Sequence, residues 1–279
     1  ILRGGSEAIH SNKAIAHALQ SGGHVAGLPD DAIQLIPFTD RESVSVMAGM
    51  DQWLDVIIPR GGKGLIEAVV SRARMPVIKH YDGICHTYVD READIDMAVA
   101  IADDAKTHKP GVCNAMETLL VHNKIADDFL PRIATVFTDK GVEMRGDSKT
   151  QEILGDAVVV ASDDDWDTEY LDLIVAIKVV SGMTEAVDHI NCHSSRHSEC
   201  IVTDDSARAE SFITRVDSAC VFHNASTRFS DGGEFGFGAE IGISTDKLHA
   251  RGPMALRELT SYQYRIRGNG QIRSLHATT

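Results

Sequence analysis

The sequence has no apolar run near the roughly 20 residues that a membrane-spanning helix needs. Its start, ILRGGSEAIH, also lacks the pattern of a secretory signal. Aromatic side chains make up only 5% of the 279 residues, so a core has to rest mainly on Ala, Val, Ile and Leu. The chain begins without a methionine, in what reads as a strand, so we expect a further N-terminal segment to precede it. These absences predict a cytoplasmic protein that does not bind membranes.

Basic clusters and paired cysteines are also absent. Asp and Glu (41) outnumber Lys and Arg (27), and no Lys/Arg cluster supplies the basic face that nucleic-acid binding requires. The five cysteines are odd in number and include no CxxC pair, which predicts free thiols in a cytosolic chain. A small-molecule ligand remains the expected partner.

Two alternations of short β-branched runs and helical segments organise the chain. The first covers about 80 residues, and the second follows after a boundary between Tyr81 and Asp90. Strands separated by helices predict parallel sheets covered on both faces. The acidic stretch SDDDWDTEY reads as a surface loop and a hinge, and SYQYRIRGNGQIR as a last strand. The pattern therefore predicts two α/β domains.

One cysteine, Cys113, lies on a Lys-Pro-Gly turn just ahead of the strand-like run METLLVH. Free cysteines are often buried, so a packing role is one interpretation. The other is a nucleophile, whose thiolate Lys106, His108 and Lys109 just upstream could favour. The residues alone leave both interpretations open.

The segment PRGGKGLIEAVV follows a strand and begins a helix, where backbone N–H groups can hold a pyrophosphate. It matches neither the GxGxxG nor the Walker pattern. A tight turn with solvated Arg60 and Lys63 explains it equally well.

Histidines recur every four residues in HINCHSSRHSEC, at His189, His193 and His197. Ser194 interrupts the helix and a strand follows, so these side chains do not share one face, and the spacing fits no zinc framework. We predict no metal site. The later loop HNASTRFSDGGEFGFGAE is rich in glycine, and its Arg228 could clamp a carboxylate or phosphate.

Several stretches together resemble the γ-glutamyl phosphate reductase (glutamate-5-semialdehyde dehydrogenase) family, a branch of the aldehyde dehydrogenase superfamily. They include ILRGGSEAIHSN, VIIPRGGKGLI, CNAMETLLVH, AVDHINCHSSRHSECIVTDD and DSACVFHNASTRFSDGGEFGFGAEIGIST. The resemblance implies two Rossmann-like parallel-sheet domains of the aldehyde dehydrogenase type and a C-terminal oligomerisation strand. The implied divisions are the end of an NADP(H)-binding domain at 1–85, a catalytic domain at 86–255 and an oligomerisation tail at 256–279. A homodimer or homotetramer is expected.

The resemblance also assigns residues to sites. Cys113 matches the catalytic nucleophile. Arg3 stands where relatives place a basic residue at the adenosine ribose, and could meet the 2′-phosphate of NADPH. Glu169 aligns with a glutamate that holds the nicotinamide ribose. The residues matched to the loop near the cofactor phosphates are Arg60, Gly61, Gly62, Lys63 and Gly64, and the expected substrate contacts are His193, His197 and Arg228.

The implied activity is NADPH-dependent reduction of L-glutamyl 5-phosphate to glutamate 5-semialdehyde, a step of proline biosynthesis, through a thioester on Cys113. Relatives that hydrolyse the thioester carry a glutamate base where this sequence has Lys79, His80 and Tyr81, which favours reduction. The family's asparagine oxyanion donor would lie upstream of ILRGG, so we expect the 279-residue chain alone to be inactive or weak.

Three alternatives remain. The chain could be another aldehyde or acyl dehydrogenase of the same superfamily. It could be a silent fragment that serves only in assembly. A cysteine hydrolase would need a histidine paired with Cys113, for which His86 and His223 are candidates.

Overall fold

The computed structural model describes residues 1–247 and 250–273. Seven parallel strands form one sheet in the order β4-β3-β5-β2-β1-β6-β7. They are β1 Cys85–Val89, β2 Met116–His122, β3 Glu143–Gly146, β4 Val159–Val160, β5 Ile174–Val180, β6 Ser198–Val202 and β7 Cys220–His223. A separate antiparallel pair follows, β8 Gly242–Ser244 and β9 Gly252–Met254.

Eight α-helices lie in the described part of the chain. They are α1 Ile9–Val25, α2 Arg41–Ala48, α3 Lys63–Val70, α4 Ile95–Thr107, α5 Ala126–Asp139, α6 Ser148–Leu154, α7 Met183–His193 and α8 Ser206–Arg215. Within the same residues, none combines the length and the apolarity that crossing a bilayer takes.

Helices cover both faces of the sheet, as a buried parallel sheet requires. On one face, α4 and α5 pack Ala102, Phe129 and Phe137 onto the strands. On the other face, α7 and α8 pack Ile190 and Phe212. Every residue of β2 is buried, including the polar Glu117, Thr118 and His122.

Aspartates cap four of these helices. The carboxylates of Asp40, Asp94, Asp147 and Asp205 accept hydrogen bonds from backbone N–H groups in the first turns of α2, α4, α6 and α8. Each cap satisfies a donor that has no partner within the helix.

The first 80 residues differ from the sequence expectation in their strands. The helices α1, α2 and α3 form as predicted, but the strands appear only as two single parallel bridges, Leu2–Leu35 and Ile57–Val77. Proline lacks an N–H, and Pro37, Pro59 and Pro76 bound three of these short runs. Few backbone hydrogen bonds between strands can therefore form in this part of the chain.

The sequence pattern did not predict two of the elements, and one expected strand does not form. Strand β1 lies inside the stretch expected to be a domain boundary. It was not predicted, because the polar His86 and Thr87 interrupt its apolar pattern. Helix α6 was not expected. Residues 261–273, the expected last strand, form no strand in this chain, whereas the β8–β9 pair just before them fits an oligomerisation element. The domain divisions remain a prediction.

Candidate active site

Cys113 lies on the turn that precedes β2, as the Lys-Pro-Gly sequence predicts. The turn closes with a hydrogen bond from Ala115 N to Val112 O of 3.0 Å. The thiol is half-buried. Gly83 packs directly against the backbone of Cys113, since a Cβ built on Gly83 would lie 2.1 Å from Cys113 O. Only glycine leaves room for this approach.

The charges around Cys113 do not activate the thiol. Burial raises its pKa to about 11, with further increases from the carboxylates of Glu169 and Glu240, and Arg60 acts in the opposite direction. The expectation that Lys106 favours the thiolate is wrong, because Lys106 is fully buried in an ion pair with Glu117, with Nζ and Oε2 2.6 Å apart. Formation of the thiolate therefore needs a ligand or a base.

Glu169 lies beside the nucleophile. Its Oε1 accepts a hydrogen bond of 2.9 Å from Gly83 N, so the carboxylate is fixed to the same glycine that packs on Cys113. Burial raises the pKa of Glu169. Residues 81–85 thus connect the nucleophile to the glutamate expected at the cofactor ribose.

The acidic segment before Glu169 is a surface loop, as predicted, with Asp163, Asp164 and Asp167 exposed, but it is anchored at Asp165 and so does not fit the predicted hinge. Its Asp165 is buried, accepts a 2.7 Å bond from Arg145 and a 2.8 Å bond from Tyr170, and caps the segment through Ser162. These bonds hold the pKa of Asp165 at about 2 against the effect of burial. The anchor fixes the position of Glu169.

A buried ion pair lies next to the site, between helix α4 and strand β2. Lys106 and Glu117 are both inaccessible to solvent, and Glu117 Oε1 also accepts a long 3.4 Å bond from Leu171 N, close to Glu169. Burial raises the pKa of Glu117 to about 7 even beside the ammonium group. The pair joins α4 to β2 beneath Cys113.

Arg228 contacts the residue that follows the nucleophile. Its Nη1 donates a hydrogen bond to Asn114 Oδ1, and Asn114 Nδ2 donates to Ser230 O at 3.0 Å. Thr227 Oγ1 donates to Asn114 O at 2.8 Å. The structure therefore brings Arg228 to the site, while its substrate role stays a prediction.

A cleft of about 340 Å³ begins at α3 and includes Tyr81 and Asp82 in its wall. His193 is part of the opposite wall, where its Nδ1 lies 2.9 Å from Asp167 Oδ1. At the entrance Lys63 Nζ lies 3.5 Å from Asp82 Oδ2. This volume is in the ordinary range of ligand sites.

Two of the predicted site residues lie in other settings. Arg3 donates to the carbonyls of Thr39 (2.5 Å) and Asp40 (2.8 Å), at the start of α2. His197 is fully buried, with its Nδ1 2.8 Å from Ser198 Oγ, and burial lowers its pKa to about 3. Its burial does not favour the predicted direct contact with substrate.

The remaining histidines give no sign of hydrolase or metal chemistry. His86 is fully buried against Glu199, with its Nδ1 3.1 Å from Oε2, and His223 Nε2 donates to Thr203 O at 2.8 Å. Neither is hydrogen-bonded to Cys113. Across residues 1–247 and 250–273, no group of three or more His, Cys, Asp or Glu could hold a metal ion. All five cysteines are free, as predicted.

Sequence reasoning missed Gly83, Glu240 and the Lys106–Glu117 pair. Gly83 and Glu240 approach Cys113 from distant parts of the chain, whereas Lys106 and Glu117 are near it in sequence but pair with each other inside the core. The one available signal was Glu117, a charged residue inside a predicted strand.

The residues around the cleft fit a nicotinamide cofactor. At the start of α3, open space surrounds the positions where Cβ atoms of the N-cap Gly62 and of Gly64 in the first turn would stand, so a phosphate can approach the backbone there. The half-buried carboxylate of Glu169 is placed to accept a hydroxyl hydrogen bond beside Cys113. A ligand that contacts both would cross the wall formed by Tyr81 and Asp82.

Several known proteins resemble this chain. Residues 2–155 match the profile of the aldehyde dehydrogenase family. The γ-glutamyl phosphate reductase of Thermotoga maritima is 50% identical with a TM-score of 0.93, and the match covers 98% of this chain and 66% of that one. The γ-glutamyl phosphate reductase of Saccharomyces cerevisiae is 32% identical with a TM-score of 0.44, covering 99% and 64%.

A probable aldehyde dehydrogenase of Listeria monocytogenes shares the fold at 15% identity and a TM-score of 0.71, covering 96% of this chain and 68% of that one. The resemblance to reductases of this kind and the α/β fold of the aldehyde dehydrogenase type are thus confirmed. The chain spans slightly less than two thirds of the length of the two solved reductases.

Proposed function

This chain belongs to the aldehyde dehydrogenase family, and we propose that it carries the nucleophile of an NADPH-dependent γ-glutamyl phosphate reductase. The observation that carries the proposal is the 50% identity to the Thermotoga enzyme over 98% of the chain, which includes the turn of Cys113. The proposed reaction reduces L-glutamyl 5-phosphate to glutamate 5-semialdehyde and releases phosphate, in the proline pathway.

Cys113 attacks the acyl carbon of the substrate. A carbon–sulfur bond forms, the bond from the acyl carbon to the phosphate oxygen breaks, and phosphate departs with the electron pair. Because burial and two carboxylates hold the pKa of the thiol at about 11, the proton has to leave during or before the attack. The partly exposed position of Cys113 allows a substrate to reach it.

The chain also supplies contacts for the cofactor. Glu169 would hold the nicotinamide ribose, the loop Gly61–Gly64 would hold the phosphates, and Arg3 would meet the 2′-phosphate that distinguishes NADPH. When bound, the reduced nicotinamide supplies the hydride that converts the thioester to the aldehyde. The anchored segment around Asp165 fixes Glu169 for this purpose.

The substrate contacts are assigned to Arg228 and His193, and not to His197, which is fully buried. A guanidinium offers paired N–H donors to a carboxylate, and Arg228 reaches the neighbour of the nucleophile. We also propose a homodimer or homotetramer in the cytoplasm, where free thiols persist.

The test is the reverse reaction of the full-length protein, measured as phosphate-dependent reduction of NADP by glutamate 5-semialdehyde. Cys113→Ser should abolish turnover, whereas Cys200→Ala, which alters a cysteine buried in the core and not part of the cleft wall, should leave it within about twofold. Turnover that survives Cys113→Ser, or that needs no phosphate, contradicts the proposal. The second result would instead indicate another aldehyde or acyl dehydrogenase.

A further inference from the structure

Arg60 reaches from the loop before α3 to strand β8. A Cβ built on Gly242 would lie 3.0 Å from Arg60 Nη1, so the guanidinium lies against the backbone of that strand. The next residue, Ile243, accepts a hydrogen bond of 3.2 Å from His80 Nδ1. Three residues further along the chain from His80 is Gly83, which packs on Cys113. The guanidinium of Arg60 therefore lies against strand β8 two residues after Glu240, a carboxylate that raises the pKa of Cys113.

The neighbouring cations already have carboxylate partners. Lys79 lies 2.9 Å from Asp246, and Lys63 lies 3.5 Å from Asp82. Within residues 1–247 and 250–273, Arg60 has no ion pair and no hydrogen bond, and its side chain is exposed. It is therefore free to bind an anion.

The charge of Arg60 acts on the groups at the nucleophile. Burial has the largest effect on the pKa values of Cys113, Glu240 and His80, and Arg60 lowers all three. The guanidinium of Arg60 thus lies close to the thiol of Cys113, to the carboxylate of Glu240 in the glycine-rich loop and to the imidazole of His80. A guanidinium suits phosphate because its N–H groups match two phosphate oxygens at once.

We propose that Arg60 binds the phosphate group of the acyl phosphate substrate at Cys113. This assignment rests on the proposed function and deepens it, because it gives the side chain of Arg60 to the substrate and leaves the cofactor phosphates to the backbone of Gly61–Gly64. As the bond between the acyl carbon and the phosphate oxygen breaks, negative charge grows on the departing phosphate. The guanidinium stabilises that charge at the point where it develops.

The experiment uses inorganic phosphate as the probe and alkylation of Cys113 as the readout. The full-length protein is treated with iodoacetamide at rising phosphate concentrations, with sodium chloride holding the ionic strength constant, and the Cys113 peptide is quantified by mass spectrometry. Phosphate bound at Arg60 covers the thiol and offsets the cation that favours the thiolate. We expect saturable slowing of alkylation in the wild type.

Three variants define the contribution of Arg60. Arg60→Gln should raise the phosphate midpoint about tenfold or more, because a charge-assisted pair of hydrogen bonds is lost. Arg60→Lys should restore part of the affinity, since it keeps the charge and loses the paired geometry. The matched control is Arg72→Gln, which removes the same charge from a residue bonded to Ser45. It should leave the midpoint unchanged.

An unchanged phosphate midpoint in Arg60→Gln overturns the proposal. A second contradicting result is that NADP protects Cys113 from alkylation in a way that depends on Arg60, while phosphate protects it in a way that does not. The guanidinium would then bind the cofactor. The readout needs no turnover. If the enzyme turns over but protection of Cys113 by phosphate does not depend on Arg60, only this inference is wrong. If protection depends on Arg60 but there is no turnover, only the proposed function is wrong.

Discussion

At the scale of single residues, Gly83 is the position where the site tolerates least change. Gly83→Ala would place a Cβ 2.1 Å from Cys113 O and 2.4 Å from its Cα, so the backbone has to move. We expect a loss of about 2–4 kcal/mol in the free energy of unfolding, as in other overpacked cores. Chemical denaturation measures it, and alkylation of Cys113 reports the shift of the thiol.

The control for Gly83→Ala is Gly22→Ala in helix α1, where a Cβ meets nothing within 4 Å. Alanine favours a helix over glycine, so this variant should gain about 0.5–1 kcal/mol. Equal effects of the two substitutions would show that Gly83 does not pack on Cys113 as described.

The pKa of Cys113 gives a second prediction at this scale. The carboxylate of Glu240 raises that pKa, so Glu240→Gln should lower it and increase the thiolate fraction at every pH below about 11. For a decrease of one unit, the fraction rises about tenfold while the intrinsic nucleophilicity falls about threefold. Alkylation by iodoacetamide should therefore accelerate about threefold.

Glu234→Gln is the matched control, because Glu234 is exposed in the same glycine-rich loop. Its alkylation rate should equal that of the wild type. Slower alkylation in Glu240→Gln would contradict the arrangement of charges around the thiol.

The residues that sequence could identify are those with a local signature. The turn of Cys113 follows from Pro110 and Gly111 ahead of an apolar run, and the structure confirms it. The sign of the thiol's pKa shift could not follow, because Glu240 and Glu169 approach from other parts of the chain. Lys106, close in sequence, turns into the core instead.

At the scale of elements, one buried carboxylate joins two strands to a helix. Asp90 follows β1, and both of its oxygens accept bonds of 2.5 Å from Arg208 on α8. Thr203, just after β6, donates to it at 3.1 Å, and Tyr88 donates at 2.8 Å. Burial alone would raise the pKa of Asp90, but these donors hold it below its usual value.

Arg208→Met should cost about 3–5 kcal/mol of unfolding free energy near neutral pH, because it leaves a buried carboxylate without its cation. Chemical denaturation of Asp90→Asn/Arg208→Met should show a smaller loss, since the uncompensated charge is gone. Arg215→Met on the same helix, whose contacts to Thr184 are 3.4 Å and 3.5 Å, should change little.

The pH dependence of this variant has a defined sign. In the wild type the folded pKa of Asp90 is depressed, so the stabilisation is present above about pH 4 and is lost as the pH falls through the folded pKa. In Arg208→Met burial raises the folded pKa, so unfolding free energy should recover as the pH falls from neutral. A loss of stability on acidification in both proteins would contradict the assignment.

Elements with a sustained pattern of apolar residues could be predicted from the sequence, and short elements or those with polar buried residues could not. Helices α4, α5 and α7 and strands β2 and β5 follow from their patterns because one or both faces are buried. Strand β1 was missed since its buried positions include the polar His86 and Thr87. The imidazole of His86 is accepted in the core because its Nδ1 lies 3.1 Å from Glu199 Oε2 on β6, a partner that no local pattern reveals.

At the scale of the whole molecule, the C-terminal tail offers an apolar surface. Tyr264 and Ile266 are 79% and 91% exposed, and residues 256–273 form no strand in this chain. If the tail pairs with a second copy, as the proposed homo-oligomer requires, Ile266→Asp should shift the molar mass toward the monomer in light scattering. Val25→Asp, at an equally exposed apolar residue of α1, should leave the mass unchanged, and a monomeric wild type would contradict the proposal.

The whole account requires that the acyl group of the substrate be carried by one sulfur. Glutamate 5-semialdehyde and NADP, given to the full-length protein without phosphate and quenched in acid, should leave a γ-glutamyl thioester that later phosphate discharges. Mass spectrometry should find the added mass on the peptide that contains Cys113 and on no other cysteine peptide. An adduct on another residue, or none at all, would contradict the account.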